Sequence, residues 1–321
     1  MFRNLQEEEF LDGVRELAVG KATSSMLQIA LDMDLFSKIQ GRSVTLDEFA
    51  ALLSIPAASA RLMSQFLCRE GLLVYRNGLL ANAPVTDKFL GTDNLVRREI
   101  RNLLRQPWGV EELRAKLINP ADLHHYQMLT EEQFYIKNNP RRVFWGEELA
   151  DRYDFGPHRV LLDVAGASGG FCIGIRNRNP HLRCILFDLP KSEPFAERCI
   201  AEADHTGEIT FVGGSFLTDD LPKGADVAVI ANVLHNWSPE EDRLILGKIH
   251  DALEPGGKLL AFEYFFEDDW TGTMEAVLQA FILSGKGWQP SFGEMETLMK
   301  DAGFADLERR HSMLLIGTKR P

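Results

Sequence analysis

Two patterns of apolar residues divide the chain. Up to about residue 90, apolar side chains recur at helical spacing, as in the stripe Ala60, Met63, Phe66 and Leu67. Beyond residue 159, short apolar runs alternate with helical segments, which is typical of βαβ units. The expected strands are Val160–Val164, Cys184–Phe187, Ile209–Val212, Val227–Leu234 and Leu259–Phe262, and helices are expected at Ser192–Ala203 and Glu240–Leu253. This pattern predicts a mostly parallel sheet with helices on both faces.

Local signals refine both halves. Thr45 to Glu48 has the form of a helix-capping box, and Asn77-Gly78 between apolar runs indicates a hairpin. Helix, helix and hairpin in this order predict a winged-helix module. The last two runs, Leu307–Arg310 and Met313–Ile316, lie too close together for a helical crossover, so we expect them to pair antiparallel.

Composition narrows the class of protein. The chain has 321 residues, 45% of them hydrophobic and 26% charged, and a net charge of -12. This balance is typical of a soluble globular protein, and the acidity disfavours nucleic acid and anionic membranes as partners. The N-terminus lacks a signal-peptide pattern, and no apolar run is long enough to span a membrane. The four cysteines form no CxxC pair, so we expect reduced thiols in a cytoplasmic protein.

A glycine-rich turn follows the first strand of the second half. Asp163 and the small residues Ala165 to Gly170 lie between that strand and a helix, where backbone N–H groups face a ligand. Asp188 ends the second strand, and an acidic residue there can accept both hydroxyls of a ribose. Together these features predict a nucleoside-containing ligand, although close packing alone also explains the turn, and Asp188 can instead cap a helix before Pro190.

Further motifs follow in a fixed order. They are Gly213-Gly214-Ser215-Phe216, Leu234-His235-Asn236-Trp237, Pro255-Gly256-Gly257-Lys258 and Asp301-Ala302-Gly303-Phe304. In this order and spacing the chain resembles the S-adenosylmethionine-dependent O-methyltransferases, in the branch of plant caffeic-acid and hydroxyindole enzymes and bacterial antibiotic-tailoring enzymes. The resemblance implies a class I methyltransferase, Rossmann-like sheet with an antiparallel last strand, at 156–321. It also implies a winged-helix domain at 1–92 that forms a homodimer through its N-terminal helices, and a helical linker at 93–155.

The resemblance also implies roles for individual residues. His235 matches the family's general base, and Glu263 matches a carboxylate that orients it. The cofactor S-adenosylmethionine is expected to contact Asp163, Ala165, Gly166, Ala167, Gly169, Asp188, Leu189, Ser215, Phe216 and Asn232. For the acceptor pocket we expect the aromatic residues Trp108, Phe134, Phe281 and Trp288, drawn from 95–155 and 274–288.

The chain departs from the family pattern at several positions. Ala165 and Ala167 stand where the family usually has glycine, Ser215 and Asn236 stand where it has aspartate, and Ala231 where it has lysine. A second catalytic carboxylate is expected within Gly285-Lys286-Gly287 and is not found there.

Three functions therefore remain open. The first is methyl transfer from S-adenosylmethionine to a hydroxyl of a small, aromatic or enolic secondary metabolite, with C- or N-methylation as a variant. In the second, the protein binds the same cofactor but catalyses a reaction without methyl transfer, and His235 is structural. The third is a DNA-binding regulator, for which the helix after Pro56 offers only Arg61, Gln65 and Arg69 as polar side chains for contacts with DNA bases. We expect no metal, because adjacent His124 and His125 lack further ligands at suitable spacing.

Overall fold

The computed structural model describes residues 7–105, 111, 114, 130–273, 276 and 289–320. The chain divides into two compact units, residues 1–108 and 109–321. Each unit has a hydrophobic core of its own.

The first unit is mainly helical. Its described elements are α1 (Glu7–Asp32), α2 (Leu35–Lys38), α3 (Leu46–Leu53), α4 (Ala57–Arg69), β1 (Leu73–Arg76), β2 (Leu79–Asn82), α5 (Pro84–Leu90) and α6 (Leu95–Leu104). The predicted capping box is present, since the Thr45 side chain accepts from the Glu48 N–H while the Glu48 side chain accepts from the Thr45 N–H. β1 and β2 pair antiparallel around Asn77-Gly78, as the sequence predicts.

The second unit is an α/β layer structure. After a π-helix (Glu132–Lys137) its elements are α7 (Asn139–Arg152), β3 (Val160–Val164), α8 (Gly170–Arg178), β4 (Arg183–Asp188), α9 (Glu193–Glu202), β5 (Ile209–Gly213), β6 (Ala225–Ala231), α10 (Pro239–Ala252), β7 (Leu253–Phe262), α11 (Phe292–Asp301), β8 (Phe304–Arg310) and β9 (Leu314–Lys319). The predicted alternation of strands and helices is confirmed.

The strand order in this unit positions the site. In the described residues a seven-stranded sheet has the order β5-β4-β3-β6-β7-β9-β8. β3 to β7 run parallel, and β9 pairs antiparallel with both β7 and β8, as predicted. The chain starts at β3 in the middle, moves outward to β5 and then returns to β6 on the other side. The crevice at the carboxyl ends of β3 and β6 is therefore the switch point, where open α/β sheets bind ligands.

Strand β6 is shorter than predicted, because the residues that follow it bind the Glu263 side chain. The apolar run Val227–Leu234 leaves the sheet at Ala231, and Leu234–Asn236 forms a 3-10 turn. The N–H groups of Val233 and Leu234 bind the Glu263 carboxylate instead of a neighbouring strand. Hydrophobic periodicity cannot anticipate this turn, because Val233 and Leu234 are both buried.

Helix α8 lies unusually close to α7. A Cβ atom added to Gly146 would lie 2.7 Å from the Phe171 carbonyl oxygen, and one added to Gly174 would overlap the Val143 carbonyl oxygen. Only glycine permits this approach. It places the start of α7 beside the glycine-rich turn.

Three further observations concern the described residues. All four cysteines are free thiols, and three of them are buried. Within the described ranges, no cluster of three or more His, Cys, Asp or Glu side chains has a geometry suited to a metal ion. No single described helix is long and apolar enough to cross a membrane. Only α3 and α4 taken together, with a bend of 103° between them, reach that length and apolar composition within the described residues.

Candidate active site

The turn after β3 has an unusual backbone. Ala165, Ala167 and Gly169 all adopt left-handed conformations, with φ of 58°, 54° and 80°. For alanine this conformation costs about 1–2 kcal/mol relative to the right-handed region. The turn leads directly into α8 at Gly170, so its backbone N–H groups and the start of the helix face the same edge of the sheet.

Asp163 lies beneath this turn and is almost fully buried. Its Oδ2 has no hydrogen-bond partner among the described residues, and a Cβ atom at Gly166 would overlap that oxygen. Burial raises the pKa of the Asp163 carboxyl to about 7, while hydrogen bonds from Cys172 act in the opposite direction. A buried carboxyl with a free oxygen is costly unless a ligand supplies a donor.

Asp188 joins the second strand to the same turn. Its Oδ2 accepts from the Ala167 N–H at 2.8 Å, and its Oδ1 accepts from the Leu189 N–H at 2.7 Å. Burial raises the pKa of this carboxyl. The structure thus brings the predicted residues Asp163, Ala167 and Asp188 together, while the Leu189 side chain is largely exposed.

The remaining predicted cofactor residues follow β5 and β6. The Ser215 N–H donates to Asp219 Oδ2 at 2.8 Å, and the Phe216 ring packs edge-on against Trp237 at 5.4 Å. Asn232, with φ of 54°, donates its N–H to the Phe262 carbonyl at 2.9 Å. These residues therefore lie at the carboxyl ends of strands on both sides of β3.

His235 and Glu263 form a buried pair beyond the ends of β6 and β7. Both side chains are fully buried, and His235 Nδ1 lies 2.9 Å from Glu263 Oε2. Glu263 Oε1 accepts from the N–H groups of Val233 at 2.5 Å and Leu234 at 2.8 Å. Because the carboxylate can only accept, Nδ1 carries the proton, and Nε2 of the neutral ring is an acceptor.

His235 Nε2 is the free atom of this pair. It is buried, and no described residue hydrogen-bonds to it. Next to it, Asn236 donates to the Val233 carbonyl at 3.3 Å, which stabilises the turn. The arrangement holds an imidazole in one tautomer with its basic nitrogen available, as a general base requires.

Of the predicted acceptor-pocket residues, the structure describes Phe134 alone. Trp108, Phe281 and Trp288 lie outside the described residues, as does Gly285-Lys286-Gly287. Phe134 belongs to the π-helix, where the Arg142 guanidinium lies 4.7 Å from its ring centroid and Tyr135 packs edge-on at 4.8 Å.

Two residues near the glycine-rich turn are not among the site residues expected from the sequence. Arg142 donates to the Phe134 carbonyl at 2.8 Å and lies 3.5 Å from Ser168 Oγ, and its charge opposes the raised pKa of Asp163 and Asp188. Tyr135 is buried, stacks on Phe195 at 4.8 Å, and has its pKa raised to about 12 by burial and by the Asp188 charge. The spacing of Gly170 and Gly174 was the available signal, because it indicates a helix packed closely on α8.

The sheet order and the antiparallel β9 together define the fold of the class I methyltransferases. Comparison with known proteins gives the family. The model of the O-methyltransferase domain family matches residues 123–305, and the chain belongs to that family. Its sequence resemblance to O-methyltransferases is thus confirmed.

The relatives include an O-methyltransferase and a protein named as a hydroxylase. The chain is 27% identical over 316 residues to the tetracenomycin polyketide synthesis 8-O-methyl transferase TcmO of Streptomyces glaucescens, covering 92% of this chain and 91% of that protein. It is 41% identical over 117 residues to the aclacinomycin 10-hydroxylase RdmB of Streptomyces purpurascens, covering 36% of this chain and 31% of that protein. The solved structure of the methyltransferase SibL matches with a TM-score of 0.84 at 22% identity, covering 97% of this chain and 99% of SibL.

Proposed function

We propose that this methyltransferase transfers the methyl group of S-adenosylmethionine to a hydroxyl oxygen of a small aromatic or enolic metabolite, with His235 as the general base. The observation that carries the proposal is the buried pair of His235 and Glu263. One nitrogen of the ring is held by a carboxylate, and the other is buried and free to accept a proton.

The residues around the glycine-rich turn fit the cofactor. The free Oδ2 of Asp163 suits the ammonium group of the methionine part. The start of α8 and the nearby Arg142 suit its carboxylate. Asp188 suits the ribose hydroxyls, and Ser215 and Phe216 lie where the adenine would follow. When bound, S-adenosylmethionine supplies an electrophilic methyl group on a positively charged sulfur.

The protein's own part in the reaction is proton removal and alignment. His235 Nε2 takes the proton of the acceptor hydroxyl as the oxygen attacks the methyl carbon. The Glu263 carboxylate then stabilises the imidazolium through Nδ1–H. We propose that Phe134 contacts the acceptor, while the roles expected for Trp108, Phe281 and Trp288, which lie outside the described residues, stay predictions.

Replacing the base tests this function. His235→Ala should lower turnover by about 10²–10⁴-fold, because general-base catalysis contributes that much. Binding of S-adenosylmethionine, measured by calorimetry, should stay near the parental value. His311→Asn is the matched control, because His311 is exposed. Parental turnover in His235→Ala, with the fold intact by circular dichroism, would make this histidine structural.

A second candidate function is a reaction without methyl transfer. It is favoured by the 41% identity that part of the chain shares with a relative named as a hydroxylase. It leaves the free Nε2 of His235 without a role, so we rank it below methyl transfer. Product analysis separates the two, because only transfer forms S-adenosylhomocysteine in step with product.

We also propose a homodimer built on α1. The helix has 26 residues, and Ile29 on it remains 47% exposed. Leu31, Leu35 and Phe36 are buried within the unit, so they do not contribute to such a contact. Sedimentation at micromolar concentration should show a dimer, and a monomer would contradict this part of the proposal.

A further inference from the structure

The side-chain oxygen of Gln289, like His235 Nε2, is a buried hydrogen-bond acceptor without a partner among the described residues. Gln289 lies just before α11, is 9% exposed, and donates its Nε2–H to the Tyr264 carbonyl. A carbonyl can only accept, so this bond fixes which end of the amide is the oxygen. Oε1 is buried and has no hydrogen-bond partner in the described part of the chain.

The backbone after β7 shows on which side of the strand this amide lies. The Phe262 carbonyl accepts from the Asn232 N–H at 2.9 Å, while the Glu263 and Phe265 N–H groups point the other way, to Met313 and Ser312 of the chain before β9. Backbone groups of successive residues in an extended segment alternate between its two sides. The Tyr264 carbonyl therefore points to the side of Asn232, from which the chain continues to His235.

Two adjacent residues after β7 therefore orient the two buried acceptor atoms, His235 Nε2 and Gln289 Oε1. Glu263 holds the ring of His235, and Tyr264 holds the amide of Gln289. A buried acceptor left without a donor is destabilising, and a ligand that supplies the donor removes that cost. A molecule with one hydroxyl can satisfy only one of the two atoms.

We infer that Gln289 Oε1 binds a second hydrogen-bond donor of the methyl acceptor. The acceptor class is an aromatic molecule with two neighbouring donors, of which one is the hydroxyl that faces His235 Nε2. Gln289 is then a specificity-determining residue, which selects diols over molecules with a single hydroxyl. The inference rests on the proposed function, since it assumes that the acceptor lies beside His235.

Calorimetry on the protein saturated with S-adenosylhomocysteine tests the inference without requiring turnover. The probes are 2,3-dihydroxynaphthalene and 2-naphthol, which differ by one hydroxyl. The parent should bind the diol about tenfold more tightly, as expected for one added hydrogen bond to a buried acceptor. Gln289→Met, which keeps the length of the side chain without an acceptor, should bind both probes about equally.

Three results would overturn the inference: equal affinities in the parent, no detectable binding of the diol, or a preference that persists in Gln289→Met. Gln289→Ala provides a second variant if the methionine variant melts at a much lower temperature, and the comparison within the parent needs no variant. Methyl transfer to the diol is assayed separately. If the diol binds preferentially but no S-adenosylhomocysteine forms from S-adenosylmethionine, methyl transfer is contradicted, while Gln289 still selects a ligand with two donors beside His235.

Discussion

Replacing Glu263 with glutamine should disable the site while leaving the fold in place. In the parent, Glu263 Oε1 accepts from two backbone N–H groups and Oε2 accepts from His235 Nδ1–H. A glutamine has one acceptor oxygen, and the N–H groups of Val233 and Leu234 require it. Its NH2 group then faces His235 Nδ1, where it can bond only to a ring nitrogen without a proton.

This bond would reverse the tautomer of His235. The proton moves to Nε2, and the nitrogen that has to accept the hydroxyl proton becomes a donor. We therefore expect Glu263→Gln to lower turnover by about 10²–10⁴-fold, close to the loss of the base itself. Glu263→Ala is less informative, because it leaves three buried donors unpaired at roughly 1–3 kcal/mol each and threatens the fold.

The assay is formation of S-adenosylhomocysteine with saturating S-adenosylmethionine and 2,3-dihydroxynaphthalene as the acceptor. Calorimetry of cofactor binding and a melting curve accompany it, and both should stay near parental values. Glu267→Gln, an exposed residue four positions further on, is the matched control and should keep full activity. Turnover of Glu263→Gln within threefold of the parent would refute the orienting role of Glu263 and the tautomer assigned here.

Three further changes probe the cofactor turn. Asp188→Ala should weaken S-adenosylhomocysteine binding about tenfold or more in calorimetry, since hydrogen bonds to a charged acceptor contribute about 1.5–3 kcal/mol, and unchanged affinity would contradict the ribose assignment. Because the pKa of Asp163 is raised to about 7, its contribution to stability is fully present below about pH 4 and is lost as the pH rises through about 7. Relative to Asp163→Asn, the cofactor-free parent should therefore lose about 2 kcal/mol of unfolding free energy between about pH 5.5 and 8.5, measured by denaturant unfolding. The difference between the parent and Asp220→Asn, a change at an exposed site, should stay constant over the same range. Ala167→Gly should bind S-adenosylhomocysteine as well as the parent or better, because glycine adopts φ of 54° without strain, and weaker binding would show that the methyl group contacts the ligand favourably.

The sheet was predictable from sequence because its signals are local. Buried parallel strands appear as continuous apolar runs, and Asp163 and Asp188 end or nearly end two of them. The antiparallel pair β8 and β9 followed from the short connection alone. Capping residues likewise determine the starts of α3 and α10, since Thr45 and Ser238 each form a reciprocal capping box.

The residues that sequence reasoning missed act through contacts distant in the chain. Arg142 reaches Ser168 because glycines let α7 approach α8 closely. The hydrophobic periodicity of each helix does not indicate which other helix it packs against. Gln289 depends on the carbonyl of Tyr264, 25 positions earlier. Alanine stands at positions 165 and 167, where the family usually has glycine, yet both residues adopt the left-handed conformation that glycine would.

Transfer of the methyl group from S-adenosylmethionine to the acceptor can be followed directly. The decisive measurement incubates the protein with methyl-labelled S-adenosylmethionine and an aromatic diol, and follows both products by mass spectrometry. We predict one S-adenosylhomocysteine for each labelled methyl ether in the parent and in His311→Asn, and amounts of both products lower by about 10²–10⁴-fold in His235→Ala. An acceptor that is altered without the label, while S-adenosylmethionine is recovered intact, would contradict methyl transfer and assign the cofactor site to another reaction.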